Sequence, residues 1–224
     1  MYTKPQKTIY FFRHAQSDEN INQNKNIHAS DQYLTELGKL QATQLAHRIT
    51  NLQLPGLLSS TLTRAKETSE IMSSIINVDI EYSDLFIEKQ KPSSIIGQIR
   101  QEPSILAVEQ RWINSLFTPN TQIEDGDSYD SILNRAEQAI EFLKSKPEAV
   151  LGVVTHQFFL NALIIKVILG ETINPEIYTR LQEQYWLENT GIVILHYHPE
   201  YPYTGWKVIT YNDTAHLDYL KSHP

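Results

Sequence analysis

The sequence has no cysteine among its 224 residues. This absence excludes disulfides, thiolate metal sites and a cysteine nucleophile. It also fits a reducing compartment, so we expect a cytoplasmic protein. An excess of positive charge is missing as well, because the formal net charge is −7. Nucleic-acid-binding proteins present a basic face, and we therefore expect no nucleic-acid partner.

Long hydrophobic runs are also missing. The longest apolar stretch lies near 158–169 and is interrupted by Asn161 and Lys166. A membrane-spanning helix needs about 20 apolar residues, so this stretch predicts a buried helix and no membrane partner. The N-terminal residues MYTKPQKTIYFF contain no apolar run long enough for a secretory signal.

Strand patterns alternate with helix patterns along the chain, without a repeat or a linker. We therefore expect a single domain over residues 1–224. The helical spacing of apolar residues predicts one helix that begins after Thr35 as its N-cap and a second over 62–76. Two short helices, broken at Pro103, are predicted within 93–117. Two further helices are predicted, one from Ile132 to before Pro147 and one over 157–169. The predicted strands are Thr8–Phe12, Leu57–Ser60, Val78–Tyr82, Val150–Thr155, Gly191–Tyr197 and Trp206–Tyr211.

This alternation predicts a three-layer α/β/α fold. The sheet should contain about six strands, mostly parallel, with one antiparallel edge formed by the last two strands. Sites in such folds lie beyond the carboxyl ends of the strands. Three polar clusters fall where a strand ends and a helix begins: Arg13-His14, Ser60–Arg64 and Thr155-His156.

Two histidines and two arginines would converge at this edge of the sheet. Arginine side chains bind phosphate or carboxylate oxygens bidentately, and helix N-termini favour anions. Arg64 lies in the first turn of its predicted helix, where a cation is unfavourable unless an anion is nearby. Histidine can act as a base or as a covalent nucleophile. The set suggests phosphoryl transfer with electrostatic stabilisation of the phosphate oxygens.

The segment Arg13-His14-Ala15-Gln16-Ser17 resembles the "RHG" motif of the histidine phosphatase superfamily, in its phosphoglycerate-mutase-like branch. The resemblance covers nearly the whole chain. Further matching segments are LTELGKLQATQLAHRI (34–49), SSTLTRAKETSEIM (59–72), VVTHQFFLNALI (153–164), Asn189-Thr190-Gly191 and Asn212-Asp213-Thr214.

The resemblance implies roles for particular residues. His14 would be the nucleophile, and Glu88, within DLFIEKQKPSSIIG (84–97), would be the general acid and base. Arg13, Arg64 and His156 would hold the phosphate, and His156 counts among the catalytic residues. Asn20 and Gln157 are further candidates for binding phosphate. The family needs no metal, and we expect no cofactor.

The sequence departs from the family pattern at two positions. Ala15 and Gln157 replace the glycines that usually follow the two histidines. A methyl group at position 15 is tolerated if φ is negative there. The backbone N–H of Gln157 can still face the phosphate, while its side chain can narrow or line the pocket.

The segment from about 84 to 130 should form a helical cap over the site and set substrate specificity. It contains Trp112, Phe117 and Tyr129, which are candidates for contacting an apolar or sugar moiety. Arg135 lies in a stretch that resembles the family's "GES…R" segment, and we expect a structural role for it.

The remaining histidines receive no catalytic role. His196 and His198 share one face of a strand, but no third metal ligand is apparent, so we expect surface residues. The others are His28, His47, His216 and His223.

The sequence supports three functions to different degrees. The leading one is a phosphomonoesterase acting on a small phosphorylated molecule through a phosphohistidine. A phosphoglycerate mutase uses the same histidine but typically carries a "YGxLxG"-like stretch after the acid, and KQKPSSIIG follows Glu88 here. A non-catalytic phosphate-binding module is the third. The sequence leaves open which substrate is used and whether the chain forms a homodimer.

Overall fold

The computed structural model describes residues 6–21, 27, 32–218 and 220. His28 and His223 lie outside the described residues. Six strands form one sheet in the order β3-β2-β4-β1-β5-β6. The strands are β1 (Lys7–Arg13), β2 (Leu57–Ser59), β3 (Ile80–Tyr82), β4 (Val150–Thr155), β5 (Ile192–Tyr197) and β6 (Trp206–Asp213).

The pairing is parallel from β3 through β2 and β4 to β1. Strand β5 runs antiparallel to both β1 and β6. The mostly parallel sheet of six strands with an antiparallel edge is therefore confirmed. The helices are α1 (Asp18–Ile21), α2 (Glu36–Ile49), α3 (Thr63–Ile76), α4 (Pro103–Ser115), α5 (Tyr129–Ser145), α6 (Gln157–Leu169) and α7 (Pro175–Gln184).

Helices cover both faces of the sheet. Alternate residues of each central strand point to opposite sides, as the period of two requires. Phe12 and Val154 pack with residues of α2 and α3, whereas Phe11 and Val153 pack with residues of α5 and α6. Strand β4 is thus covered on both faces, which explains its nearly continuous apolar sequence.

Two helices differ from the sequence prediction. Within 93–117 the structure has a short 3₁₀ turn, Ser93–Ile95, and one α-helix that begins at Pro103. Proline starts this helix because the first turn needs no intrahelical N–H donor. Helix α7 was not predicted, although Asn174 caps it by accepting from the N–H of Ile177 and Pro175 is its first residue.

Thr35 is the N-cap of α2, as predicted, and its side chain accepts a hydrogen bond from the N–H of Gly38. The first turn of α2 also holds the loop that follows His14. The N–H of Thr35 donates to Gln16 O at 3.0 Å. A Cβ atom on Gly38 would lie 2.0 Å from that same carbonyl oxygen. Glycine is therefore required at position 38 by the close approach of two backbones.

Across the described ranges, no helix combines the length and the apolar character needed to cross a membrane.

We expect Gly38→Ala to destabilise the protein by about 1–3 kcal/mol, because overpacking forces the backbone apart. Helix propensity alone predicts the opposite sign, a gain of up to about 1 kcal/mol. Urea unfolding monitored by circular dichroism measures the free energy of unfolding. Gly56→Ala is the control, since a Cβ there meets its nearest neighbour, Asp79 O, at 3.6 Å. Stabilisation by Gly38→Ala would contradict the close approach.

Candidate active site

Strand register brings the three polar clusters together at one edge of the sheet. Arg13 of β1 lies opposite Thr155 of β4, and Ser59 of β2 lies opposite Val154. Because the three strands are parallel, the residues that follow them emerge side by side. The N–H of His14 donates to Thr155 O at 2.9 Å, and that of Ser60 donates to Val154 O at 2.9 Å.

His14 and His156 lie next to each other with their ring centroids 5.0 Å apart. Both side chains are buried. Nδ1 of His14 lies 2.7 Å from Ala15 O. A carbonyl oxygen can only accept, so we assign the proton of His14 to Nδ1. Nε2 then carries a lone pair, and Nε of Arg64 donates to it at 3.1 Å.

The surroundings keep both imidazoles neutral. Burial lowers the pKa of His14 well below its usual value, and the charges of Arg64 and Arg13 lower it further. Burial likewise lowers the pKa of His156, assisted mainly by Arg64. Desolvation and nearby cations both disfavour a protonated ring. The geometry therefore presents a neutral imidazole nitrogen beside an arginine.

Two polar atoms at this edge are buried without a partner among the described residues. They are Nδ1 of His156 and Nε of Arg13. Nε2 of His156 lies 2.8 Å from Ser60 Oγ, and Nη1 of Arg13 donates to Leu187 O at 2.5 Å. Buried polar groups are usually hydrogen-bonded, so two such atoms at one edge of the sheet indicate a site for a polar ligand.

Both arginines are buried. Burial lowers the pKa of Arg13 to about 10, and the charge of Glu88 opposes this shift. Arg64 is the second residue of α3. Its Nη1 atom forms an ion pair with Oε2 of Glu19 at 3.4 Å.

Glu88 does not follow a strand of the sheet but reaches the same place through its side chain. Its carboxylate accepts hydrogen bonds from the N–H groups of Phe158 at 3.2 Å and Phe159 at 3.1 Å. These residues form the first turn of α6, and His156 is the N-cap of that helix. A carboxylate is favourable at a helix N-terminus. Glu88 is thus held within one helical turn of His156.

Arg135 holds the backbone on both sides of the Glu88 side chain. Its guanidinium donates to Ile87 O at 2.7 Å and to Glu88 O at 3.4 Å. It also pairs with Oδ2 of Asp127 at 2.8 Å, and that oxygen accepts from the N–H of Gln90 at 2.8 Å. Arg135 and Asp127 therefore clamp the segment that carries Glu88.

Asn20 lies against the loop that follows His14. Its Oδ1 accepts from the N–H of Ser17 at 2.9 Å and from Nδ2 of Asn189 at 3.3 Å. Asn189 in turn donates to His14 O at 3.0 Å. Asn20 and Gln157 both line the cavity in front of the histidines.

Ala15 and Gln157 are accommodated where the family has glycine. Ala15 is buried and is not among the residues with positive φ, so its methyl group causes no backbone strain. Its N–H donates to Thr68 Oγ1 at 3.0 Å. Gln157 starts α6.

A cavity of about 630 Å³ opens from this cluster. Arg13, His14 and Arg64 line what we call its inner end, and residues between 88 and 125 line what we call its wall. These wall residues are Glu88, Lys89, Gln90, Lys91, Ser93, Ile96, Arg100, Glu109, Trp112, Ile113 and Asp125.

Of the three aromatic residues suggested for substrate contact, Trp112 lines the cavity, whereas Phe117 and Tyr129 do not. Both pack instead against Tyr178 of α7, with ring centroids 6.2 Å and 5.0 Å from it. Tyr178 belongs to helix α7, which was not predicted, and packing against Tyr178 keeps these two rings outside the cavity.

Sequence reasoning missed Glu19 and Lys91. Oε1 of Glu19 accepts a hydrogen bond from Lys91 Nζ at 3.0 Å, and its other oxygen, Oε2, forms the ion pair with Arg64. No spacing signal marks these residues, because both lie outside the main helices and strands.

The other histidines in the described part of the chain lie elsewhere. Nδ1 of His196 lies 2.9 Å from the hydroxyl of Tyr201, and His198 packs against the same ring. His47 is exposed, and Nε2 of His216 lies 2.9 Å from Thr190 Oγ1. No group of three or more His, Cys, Asp or Glu side chains in the described ranges could hold a metal ion.

Comparisons with known proteins show which proteins the chain resembles in sequence and in fold. A "Probable phosphoglycerate mutase GpmB" of Erwinia tasmaniensis is 28% identical over 193 residues, which cover 84% of this chain and 85% of that protein. The solved structure "Bacillus stearothermophilus YhfR" has a TM-score of 0.74 at 21% identity and covers 95% of this chain and 100% of its own. A putative alpha-ribazole-5'-P phosphatase from Escherichia coli has a TM-score of 0.74 at 18% identity, covering 92% and 96%.

The family description "Histidine phosphatase superfamily (branch 1)" matches residues 9–214. This match includes every strand of the sheet except the first two residues of β1, together with the histidine pair and the cavity wall. The chain belongs to the histidine phosphatase superfamily.

Proposed function

We propose that this protein hydrolyses phosphomonoesters of small molecules through a phosphohistidine formed on Nε2 of His14. The observation that carries the proposal is the geometry of the buried His14 ring: Nε2 accepts from Nε of Arg64, while Nδ1 faces Ala15 O. A neutral nitrogen can attack phosphorus, and the arginine beside it can stabilise the phosphate oxygens as charge develops on them.

Arg13, Arg64 and His156 would hold the phosphate group. Arginine forks match phosphate oxygens bidentately, and Nε of Arg13 is a buried donor without a partner among the described residues. The Ser60 hydroxyl can donate to Nε2 of His156. Nδ1–H of His156 is then left to donate to a phosphate oxygen. Asn20 and the N–H of Gln157 border the same space.

Glu88 would act first as an acid and then as a base. Nε2 of His14 attacks phosphorus, the bond to the ester oxygen breaks, and the carboxylic acid of Glu88 protonates the departing alkoxide. Water then attacks the phosphohistidine, and the Glu88 carboxylate takes its proton as the P–N bond breaks. Neutral His14, protonated Glu88 and inorganic phosphate result.

A phosphoglycerate mutase activity is the second candidate, because relatives such as the Erwinia protein carry the name of a probable phosphoglycerate mutase. The same phosphohistidine would then return its phosphate to the substrate. Incubation with 3-phosphoglycerate and a bisphosphoglycerate primer separates the two. Release of inorganic phosphate supports the hydrolase, and formation of 2-phosphoglycerate without release supports the mutase.

We expect His14→Ala to lower phosphate release at least about 1,000-fold, since it removes the attacking nitrogen. Rapid quench with ³²P-labelled substrate should trap an acid-labile, base-stable phosphoprotein in the wild type and none in the variant. His47→Ala, an exposed histidine, is the matched control. Equal turnover by wild type and His14→Ala would exclude the phosphohistidine, and absence of turnover in both would favour the phosphate-binding module.

Glu88→Gln should lower kcat/KM, which reports the first phosphoryl transfer, about 100- to 10,000-fold for an alkyl phosphate, whose leaving oxygen needs a proton. The loss should be much smaller for p-nitrophenyl phosphate, because p-nitrophenolate leaves without protonation. Steady-state kinetics on both substrates gives the two ratios. Glu109→Gln, which alters another carboxylate of the cavity, should change both substrates by the same factor. Equal losses for Glu88→Gln would remove it as the acid.

The lowered pKa values of His14 and His156 predict how stability depends on pH. Below about pH 6.5 these histidines take up protons in the unfolded chain but stay neutral when folded. The free energy of unfolding should therefore fall as pH drops from 7.5 to 5.5, by up to about 1.4 kcal/mol per pH unit for each histidine.

Urea unfolding at both pH values measures this dependence. The double variant His14→Asn, His156→Asn should show a smaller decrease than the wild type, and His47→Asn should match the wild type. An unchanged decrease in the double variant would show that other groups cause it.

A further inference from the structure

Five cationic side chains line the cavity, and most already have a counter-charge or a proposed ligand. Arg13 and Arg64 lie at the phosphate end. Lys91 pairs with Glu19 at 3.0 Å. Arg100 binds Glu109 through two donors, with Nε 2.9 Å from Oε2 and Nη2 2.8 Å from Oε1. The outer cations Lys91 and Arg100 are thus neutralised by the protein itself.

Lys89 is different. Within the described ranges its ammonium group forms no ion pair with a carboxylate. It lies over the ring of Phe158, with Nζ 4.1 Å from the ring centroid. Burial lowers the pKa of Lys89, the charge of Glu88 opposes this, and neighbouring Lys91 adds to it. A partly desolvated cation beside another cation is costly unless an anion joins it.

The position of Lys89 in the site identifies which part of a substrate it would meet. It directly follows Glu88, and its N–H donates to Oε1 of Glu88 at 3.0 Å. The Glu88 carboxylate has to reach the ester oxygen in order to protonate it. Lys89 therefore lies next to the group that would protonate the ester oxygen, where it can meet the leaving group.

We propose that Lys89 binds a second oxyanion on the leaving group, so that the preferred substrates are phosphomonoesters carrying a further carboxylate or phosphate. This inference rests on the proposed phosphatase function. Carboxylate and phosphate present the same oxyanion chemistry to an ammonium group. A charge-assisted hydrogen bond of this kind corresponds to a discrimination of about tenfold or more.

Matched substrate pairs test the proposal. 3-Phosphoglycerate and glycerol 3-phosphate differ by a carboxylate in place of a hydroxymethyl group. Fructose 1,6-bisphosphate and fructose 6-phosphate differ by a second phosphate. We expect the wild type to favour the charged member of at least one pair by about tenfold or more in kcat/KM. The pair that shows the preference identifies the oxyanion.

Lys89→Met keeps the aliphatic stem over Phe158 but removes the charge, and should reduce this ratio to near one. Lys89→Arg should retain most of the ratio. Lys91→Met is the matched control, because Lys91 lies two residues away in the same cavity but already pairs with Glu19. Its ratio should equal that of the wild type.

Lys89 has an alternative role, in which its charge changes the protonation of Glu88 and does not bind the substrate. This role makes a different prediction. Lys89→Met would then shift the pH profile and lower kcat/KM by the same factor for both members of each pair. An unchanged ratio in Lys89→Met, or equal kcat/KM for both members of both pairs in the wild type, overturns the proposal.

Failure of the phosphatase function would look different, because the wild type would then release no phosphate from any of the four compounds. In that case the proposal is tested by the ratio of the binding affinities of the two variants for each compound. Isothermal titration of His14→Ala and of His14→Ala, Lys89→Met with the same four compounds provides this ratio. The charged member should bind about tenfold more tightly to the single variant than to the double variant, and equal affinities overturn the proposal. Thermal melting confirms that each variant is folded.

Discussion

The hydrogen bond from Arg64 Nε to His14 Nε2 is the interaction on which the rest of the site depends. It exists because Ala15 O fixes the opposite ring nitrogen as the donor and because burial keeps the ring neutral. An arginine does not lose its proton in a protein, so Arg64 is the donor of this bond. In the proposed reaction its N–H turns to a phosphate oxygen, and the Nε2 lone pair is then free to attack. The strand register and the close contact at Gly38 serve this interaction by fixing the loop that carries His14.

Charge is distributed unevenly within the cavity. The whole chain has a net charge of −7, which repels anions at long range. Inside the cavity, Glu109 neutralises Arg100 and Glu19 pairs with Lys91. Arg13 and Arg64, beside the histidines, and Lys89 are the cations of the cavity to which the anionic groups of a substrate can bind.

The inner end of the site could be predicted from the sequence, and the cavity wall could not. Parallel strands deliver the residues at their ends to one edge, so Arg13-His14 and Thr155-His156 were placed by topology alone. The wall depends on the path of residues 88–102, where the spacing of apolar residues predicted a short helix before Pro103 and the structure has a 3₁₀ turn. Phe117 and Tyr129 were candidates for substrate contact but do not line the cavity. Their partner Tyr178 belongs to a helix that was not predicted, although Asn174 and Pro175 signal its start.

Glu88 shows how a residue outside the sheet can be placed as accurately as one at a strand end. Its backbone is held by Arg135, whose own position is set by helix α5 and by Asp127. Its carboxylate is held by the first N–H groups of α6. His156 caps the same helix, so the distance between the proposed acid and the proposed phosphate ligand is set by one rigid helical turn. Movement of the loop cannot separate them without breaking the hydrogen bonds of that turn.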